Sequence, residues 1–346
     1  MRTREHSNKN THLLPALMLA VAMLVAPGVQ AVTLKVATIA PDGTDWMKKM
    51  RAGAKEVKAR TQGRVKFKFY PGGVMGSDKT VRRKIRIGQL QGGAITGGVL
   101  YDVFPDSQIY SLPMLFNDYK EMDYVRARLD KRVKLGLENG GFVTFGFSEG
   151  GFAYIMSKKP IKTIEDFRKR KVWVPEGDLI TQAVFKNIGV SPIPLPIADV
   201  YTGLQTGLID TIGASPIGAI VLQWHTQVKY VTDTPLMYLY GVLAIDRRAF
   251  NRIKPADQKI VREIMGQVFA KLNKQNRIDN ESAKQALIMQ GLKFIPMDKA
   301  EFIRLKAKVA ETRLELGKKG MYTQSMYRSL IGHLAKYRGN HPDAIQ

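Results

Sequence analysis

The segment Gly146-Phe147-Ser148-Glu149-Gly150 has the GxSxG spacing of a nucleophile elbow. That spacing seats a serine on a sharp strand-to-helix turn, where a histidine and a carboxylate activate its hydroxyl. An apolar strand pattern precedes Ser148, but Gly150-Gly151 and a further β-like stretch follow it, where the elbow needs a helix. Beyond residue 31 the only histidines are His225, His333 and His341, and no two are close in sequence. A secreted serine hydrolase using Ser148 is therefore the alternative reading and not the leading one. Glu176 and Asp178 have the oxygen chemistry of calcium ligands, but Asp178 also sits where a helix N-cap belongs. No resident cofactor or metal is expected. The large aromatics Trp46, Tyr154, Trp173 and Trp224 fall near predicted strand ends or turns. Trp173 stands just ahead of Pro175-Glu176-Gly177-Asp178, where the chain bends into a helix. In α/β folds, ligands bind at the carboxyl ends of strands and at helix N-termini.

The elements that must position these residues alternate. Val32 to Ile39 is a buried-strand pattern, and Thr44 or Asp45 caps a helix over 45–61 with Met47, Met50, Ala54 and Val57 at helical spacing. Val65, Phe67 and Phe69 alternate with Lys66 and Lys68 as a half-exposed strand, residues 78–87 are helical, and Ala94-Ile95-Thr96 is a short strand within a glycine-rich stretch. That stretch lacks the spacing of a phosphate cradle. A second block begins near residue 142, with strands at Phe142 to Phe147, Tyr154 to Met156 and Lys171 to Val174. Helices follow over 178–188 and 200–208, then a strand at Tyr238 to Ile245, a long helix from Pro255 to about Gln290, and a last helix near 298–317. This is an α/β rhythm in two blocks.

The chain has 346 residues, enough to bury a full core, and no cysteine, which excludes disulfides, thiol catalysis and iron–sulfur clusters. Arg2, Arg4 and Lys9 precede the apolar run Leu13 to Val25, and Val29-Gln30-Ala31 resembles a cleavage site, so residues 1–31 are expected to be a secretory signal peptide cleaved after about Ala31. Thirteen apolar residues are short for a membrane span. The formal net charge is +24; residues 1–31 hold three basic residues and one acidic, which leaves +22 for the exported part. The basic residues are scattered, without interleaved aromatics or a nucleic-acid-binding motif, so a solvated basic surface is expected and nucleic acid is not.

Several segments, in order, resemble the solute-binding proteins of tripartite ATP-independent periplasmic (TRAP) transporters, of the dicarboxylate type. They are Leu34-Lys35-Val36-Ala37-Thr38, Phe69-Tyr70-Pro71-Gly72-Gly73 with Met75-Gly76-Ser77-Asp78, and Leu112-Pro113-Met114-Leu115-Phe116. Lys159-Pro160-Ile161 with Glu165-Asp166-Phe167, and Asp199-Val200-Tyr201-Thr202-Gly203-Leu204-Gln205-Thr206-Gly207 with Ile209-Asp210, complete the set. The resemblance implies a periplasmic-binding-protein-like α/β fold: two hinged lobes and a long helix bracing both. It implies a receptor rather than an enzyme, located in the periplasm, that closes on a small organic solute and delivers it to a membrane permease. The lobes would comprise 32–152 plus 240–282 and 153–239 plus 283–335.

The sequence departs from that family at its polar anchors. The strand that usually reads KxRVP, whose arginine forks onto a carboxylate, reads Lys171-Val172-Trp173-Val174-Pro175. A GFR segment reads Gly151-Phe152-Ala153, and the asparagine expected after Asp210 is absent. The ligand is thus left open between a cation held by cation–π and charge contacts, a neutral or aromatic compound held by stacking, and a carboxylate held by helix N-termini or a relocated base. The expected lining is Trp173 as platform, with Tyr154, Glu176, Asp178, Ala214 and Ser215 in the second lobe and Thr38, Ile39, Asp78 and Thr96 in the first. Glu149 is expected nearby.

Overall fold

The computed structural model describes residues 31–341, so the expected signal peptide lies, but for Ala31, outside the described residues. In the first part, β1 (Val32–Thr38), α1 (Asp45–Arg60), β2 (Val65–Tyr70), α2 (Asp78–Arg86) and β3 (Gly92–Thr96) alternate, followed by α3 (Tyr119–Asn139). The chain continues through β4 (Phe142–Val143), β5 (Phe147–Ser157), α4 (Ile164–Arg168), β6 (Trp173–Pro175), α5 (Leu179–Asn187) and β7 (Ile193–Leu195). Next come α6 (Val200–Thr206), β8 (Thr211–Ala214), α7 (Pro216–Val221), β9 (Tyr230–Asp246) and α8 (Arg247–Asn251). The last elements are α9 (Pro255–Met289), β10 (Lys293–Ile295), α10 (Lys299–Lys318) and α11 (Gln324–Asn340).

Local chemistry accounts for the boundaries. Thr44 caps α1 by accepting from Met47 N, with Asp45 in the first turn and Lys58 and Arg60 in the last, each sign matched to the helix dipole. Thr163 and Asp166 form a reciprocal capping box on α4. Asp178 caps α5 through Thr181 N. Pro255 opens α9, where its missing N–H has no cost.

Strands β2, β1 and β3 are parallel with helical crossovers, and β9 joins β3 antiparallel, giving the order β2-β1-β3-β9-β5-β8. The long strands β5 and β9 connect the two lobes. Gly241 to Ile245 of β9 pair with β3, while Tyr230 to Thr232 pair with β10 and the far end of β5. Beyond that crossing, β5 pairs β8, and β6 and β7 form a separate parallel pair. The β5–β9 register slips twice in the crossing, between Glu149 and Gly151 and between Ala153 and Ile155. Such bulges bend and twist a strand pair.

The 35 residues of α9 extend about 50 Å at 1.5 Å per residue. This length lets the helix pack on α1 in one lobe, on α7 in the other, and on β5 between them. Three asparagines on α9 satisfy the backbone of the bulged strand. Asn273 accepts from Glu149 N and donates to Phe147 O, Asn276 donates to Glu149 O, and Asn280 donates to Gly150 O. Three buried cores result: one between the first sheet and α1/α9, one under α6–α7 around Trp173 and Trp224, and one joining α3, α10 and α11.

Three expectations need correction. The stretch Phe142 to Phe147 is not one strand: β4 ends at Val143 and β5 begins at Phe147, running unbroken through Tyr154 to Ser157. Helix α3 is an element that the alternating blocks did not include. The helix near 298–317 is not the last: α11 follows it, carries His333, and buries Met326, Leu330 and Leu334.

Candidate functional site

Between the lobes lies a cavity of about 550 Å³, walled mostly by apolar side chains. The carboxyl ends of four strands open onto it, at Thr38 of β1, Thr96 of β3, Pro175 of β6 and Ala214 of β8, with Ser215 just after β8 and Trp173 at the start of β6. The crossing strands form its back wall through Ala153, Met237, Leu239 and Tyr240. The lobes approach each other at the rim, where a Cβ placed on Gly98 would lie 3.5 Å from Gly177 O and 3.7 Å from the Asp178 Cα.

Eight of the ten expected residues line this space: Trp173, Asp178, Ala214, Ser215, Thr38, Ile39, Asp78 and Thr96. Tyr154 and Glu176 do not line it. The period of two along β5 explains the first, because Ala153 faces the cavity and its neighbour faces away, with Lys284 Nζ 5.8 Å from the Tyr154 ring centroid. Glu176 is half-buried, and its backbone N–H donates to Leu195 O at the turn after β6.

Trp173 is 4% exposed, meets Trp224 edge-on at 5.2 Å between ring centroids, and donates its indole N–H to Leu195 O at 3.0 Å. It is thus both a core residue and a wall, and its one polar group is already engaged. Trp46 also lines the cavity and donates to Ser148 Oγ at 3.1 Å. The three tryptophans of the chain, Trp46, Trp173 and Trp224, all face this space.

Two carboxylates belong to the walls. Asp78, at the start of α2, accepts from Thr96 N at 2.9 Å and from Thr96 Oγ1 at 3.0 Å, both on Oδ2. Burial pushes its carboxyl up, against the Thr96 bonds that pull it down. Asp178 on the opposite lobe accepts from Thr181 N at 3.0 Å, and burial pushes its carboxyl up likewise. Glu149 also borders the cavity, but its carboxylate is held by Arg126 Nη1 at 2.5 Å and by Arg277 Nε and Nη2 at 2.7 and 2.8 Å. Glu149 is 3% exposed, so this cluster is a buried strut rather than a ligand anchor.

Sequence reasoning missed Gln108. It lies in the irregular helical turn over 105–111, is 5% exposed, and lines the cavity, while its Nε2 has no hydrogen-bond partner. Its only signal was proximity to the Leu112-Pro113-Met114-Leu115-Phe116 segment that carries part of the family resemblance.

The serine-hydrolase alternative does not survive. Ser148 lies inside β5 opposite Gly241, with no helix after it, and its hydroxyl accepts from Trp46. His225 Nδ1 sits 3.0 Å from Ala219 O.

Two α/β lobes joined by crossing strands and enclosing a largely apolar chamber define a solute-binding protein of the periplasmic-binding-protein type, not an enzyme. The chain matches the bacterial extracellular solute-binding proteins of family 7 over residues 36–317, and it belongs to that family. It is 28% identical over 275 residues to a solute-binding protein of Verminephrobacter eiseniae, covering 77% of this chain and 80% of that one. It is 26% identical over 211 residues to an uncharacterized protein of Salmonella typhimurium, covering 60% of this chain and 64% of the relative, a little under two thirds of its length. A crystal structure of a TRAP periplasmic solute binding protein from Xanthobacter autotrophicus with bound β-D-galacturonate has the same fold. Its TM-score is 0.80 and its identity 23%, covering 87% of this chain and 99% of that one. The resemblance stated from the sequence segments is therefore shown, and the family is extracytoplasmic. Among the described residues, no helix is long and apolar enough to cross a membrane.

Proposed function

We propose that this chain is the periplasmic receptor of a TRAP-type transporter, capturing one small organic solute in the interlobe cavity and presenting the closed form to a membrane permease. The observation that carries the reading is the cavity itself, because it is built from both lobes at once. A guest touching Thr38 and Thr96 on one side and Trp173 and Ser215 on the other favours the closed state over the open one, and a permease can sense that difference. The lobes of this reading are residues 32–152 plus 240–282 and 153–239 plus 283–335, moving about the bulged crossing of β5 and β9. Export follows cleavage after about Ala31.

The eight expected residues that line the cavity are the proposed guest contacts; Tyr154 and Glu176 are left out of that set. The three tryptophans make the test direct. Protein isolated natively is denatured to release its small molecule, which is identified by mass spectrometry and titrated back into the refolded chain. Saturable change in tryptophan emission, with a smaller radius of gyration by X-ray scattering, is expected. Emission and scattering that ignore the released molecule would overturn the reading.

A further inference from the structure

The charge on the cavity walls is one-sided. No lysine, arginine or histidine is among the described residues that line the cavity, whereas Asp45, Asp78, Glu149, Asp178 and Asp279 all do. Two of the five are ion-paired within the protein: Asp45 pairs with Lys49 and Glu149 is held by two arginines, whereas Asp279 accepts only from the neutral Gln275 amide. Asp78 and Asp178 have no ion-pair partner among the described residues, and Asp78 commits only Oδ2, to Thr96.

The helix N-termini, the other usual receptors for an anion, each carry one side-chain cap. The N-termini of α2, α5 and α7 face the cavity region, but Ser77, Asp178 and Ser215 each accept from a backbone N–H of their own helix. An acidic guest would add negative charge beside carboxylates that have no ion-pair partner, in a largely apolar cavity whose described lining offers no side-chain cation to receive it. A cation supplies the missing partner. Trp46 and Trp173 spend their indole N–H groups on Ser148 and Leu195, which leaves ring surface rather than donors for the guest.

Gln108 is an independent sign that a polar guest belongs here. It is 95% buried on the cavity wall, and its Nε2 is one of two buried side-chain nitrogens without a partner among the described residues. A buried donor left unpaired is costly. Gln108 and Asp178 both border Gly98, where an added Cβ would lie 3.6 Å from Gln108 Oε1 and 3.7 Å from the Asp178 Cα.

We infer that the guest is an organic cation, an amine or quaternary ammonium on an apolar and preferably aromatic body, with its charged head between Asp78 and Asp178 and an acceptor atom within reach of Gln108. This rests on the receptor reading above and narrows its ligand class. It sets the chain apart from the galacturonate-bound Xanthobacter protein, whose guest is an acid.

The test uses three probes on one skeleton: 3-phenylpropylamine, 3-phenylpropanol and 3-phenylpropionate, with D-glucuronate as a sugar-acid comparator. Each is titrated against the refolded chain by tryptophan emission and calorimetry. The amine is expected to bind at least tenfold more tightly than the propionate. Asp178→Asn, which keeps a helix cap, should weaken the amine at least tenfold and narrow the gap to the alcohol. Asp78→Asn should do the same, with thermal unfolding of both variants confirming a folded chain. Propionate or glucuronate binding as tightly as the amine overturns the inference, as does silence from all four probes. The released native molecule separates the two levels. An acidic molecule that rebinds sinks the cation inference and leaves the receptor standing, whereas a chain that holds and rebinds nothing sinks both.

Discussion

The indole N–H of Trp46 donates to the Ser148 hydroxyl across 3.1 Å, tying the first turn of α1 to the crossing strand β5 at the cavity wall. The serine of the GxSxG segment thus acts as an acceptor that fixes a tryptophan. Ser148→Ala should cost about 1 kcal/mol, the net worth of one hydrogen bond, and shift the emission of Trp46. Urea unfolding and fluorescence spectra check both. Ester hydrolysis by the parent that vanishes in the variant would contradict this assignment.

Glu149 has a different kind of partnership. Its buried carboxylate is gripped by Arg126 and Arg277, and Arg126 also bonds Asp130 and the hydroxyl of Tyr238. Arg126→Leu leaves Glu149 with one cation and Asp130 with none. Removing one member of a buried ion cluster costs roughly 3–5 kcal/mol, and the surviving Arg277 places the expectation at the lower end. Chemical denaturation reads the loss directly; a change under ~1 kcal/mol would show that the cluster is not a strut.

Gly151 sits at the first bulge of β5 with φ +88°. A Cβ there would meet Asn280 Nδ2 at 2.6 Å and Tyr119 Oη at 3.0 Å. Gly151→Ala therefore adds steric conflict to backbone strain and should cost well over about 1 kcal/mol. Gly291→Ala is the matched control, because its φ is +90° but nothing lies within 4 Å of the added carbon. That variant should lose only the left-handed strain of roughly 1–2 kcal/mol. Equal melting temperatures for the two variants would remove Asn280 and Tyr119 from the account.

The Asp178 carboxyl has a definite pH signature. Burial raises it above its ordinary value, with the Thr181 contacts only partly opposing. The native state then holds the proton more tightly than the unfolded chain, so this group lowers stability as pH climbs from the unfolded carboxylate value through the native one. Asp178→Asn removes the charge and keeps the cap. The ligand-free variant should be more stable than the parent at neutral pH, with the advantage fading in acid. Asp257 behaves oppositely: Arg64 holds its carboxyl below the usual range, so its contribution is present at neutral pH and is lost as pH falls through its native value. Melting curves across a pH series test the sign, and a variant advantage that stays constant from acid to neutral would refute it.

Much of the scaffold was legible because local signals agreed with the final packing. Thr44, Thr163 and Asp178 cap the helices they precede, and Pro255 opens the long helix that ends at Met289. The strand-end rule placed Thr38, Thr96 and Ala214, the last residues of β1, β3 and β8, at one cavity, and Trp173 joins them from the start of the three-residue β6. What local signals do not carry is long-range partnership. Tyr154 reads as a cavity aromatic until the phase of β5 is known, and that phase is set by bulges at Gly151 and Ile155 that no short window reveals. Glu149 reads as a free carboxylate until Arg126 and Arg277, 23 and 128 residues away, reach it. Gln108 sits in an irregular turn, where neither period of two nor period of 3.6 identifies an inward face.

With no basic side chain among the described residues that line the chamber, and a formal charge of +22 on the part expected to be exported, the charge on the walls is opposite in sign to that of the molecule as a whole. A positive guest must first cross a repulsive shell before reaching an attractive well. Dissolved ions screen exposed charges beyond a Debye length of about 8 Å at physiological ionic strength, and they act less on the sheltered interior. Raising the ionic strength should therefore speed capture of a cation, whereas an anion drawn in by the same shell would arrive more slowly.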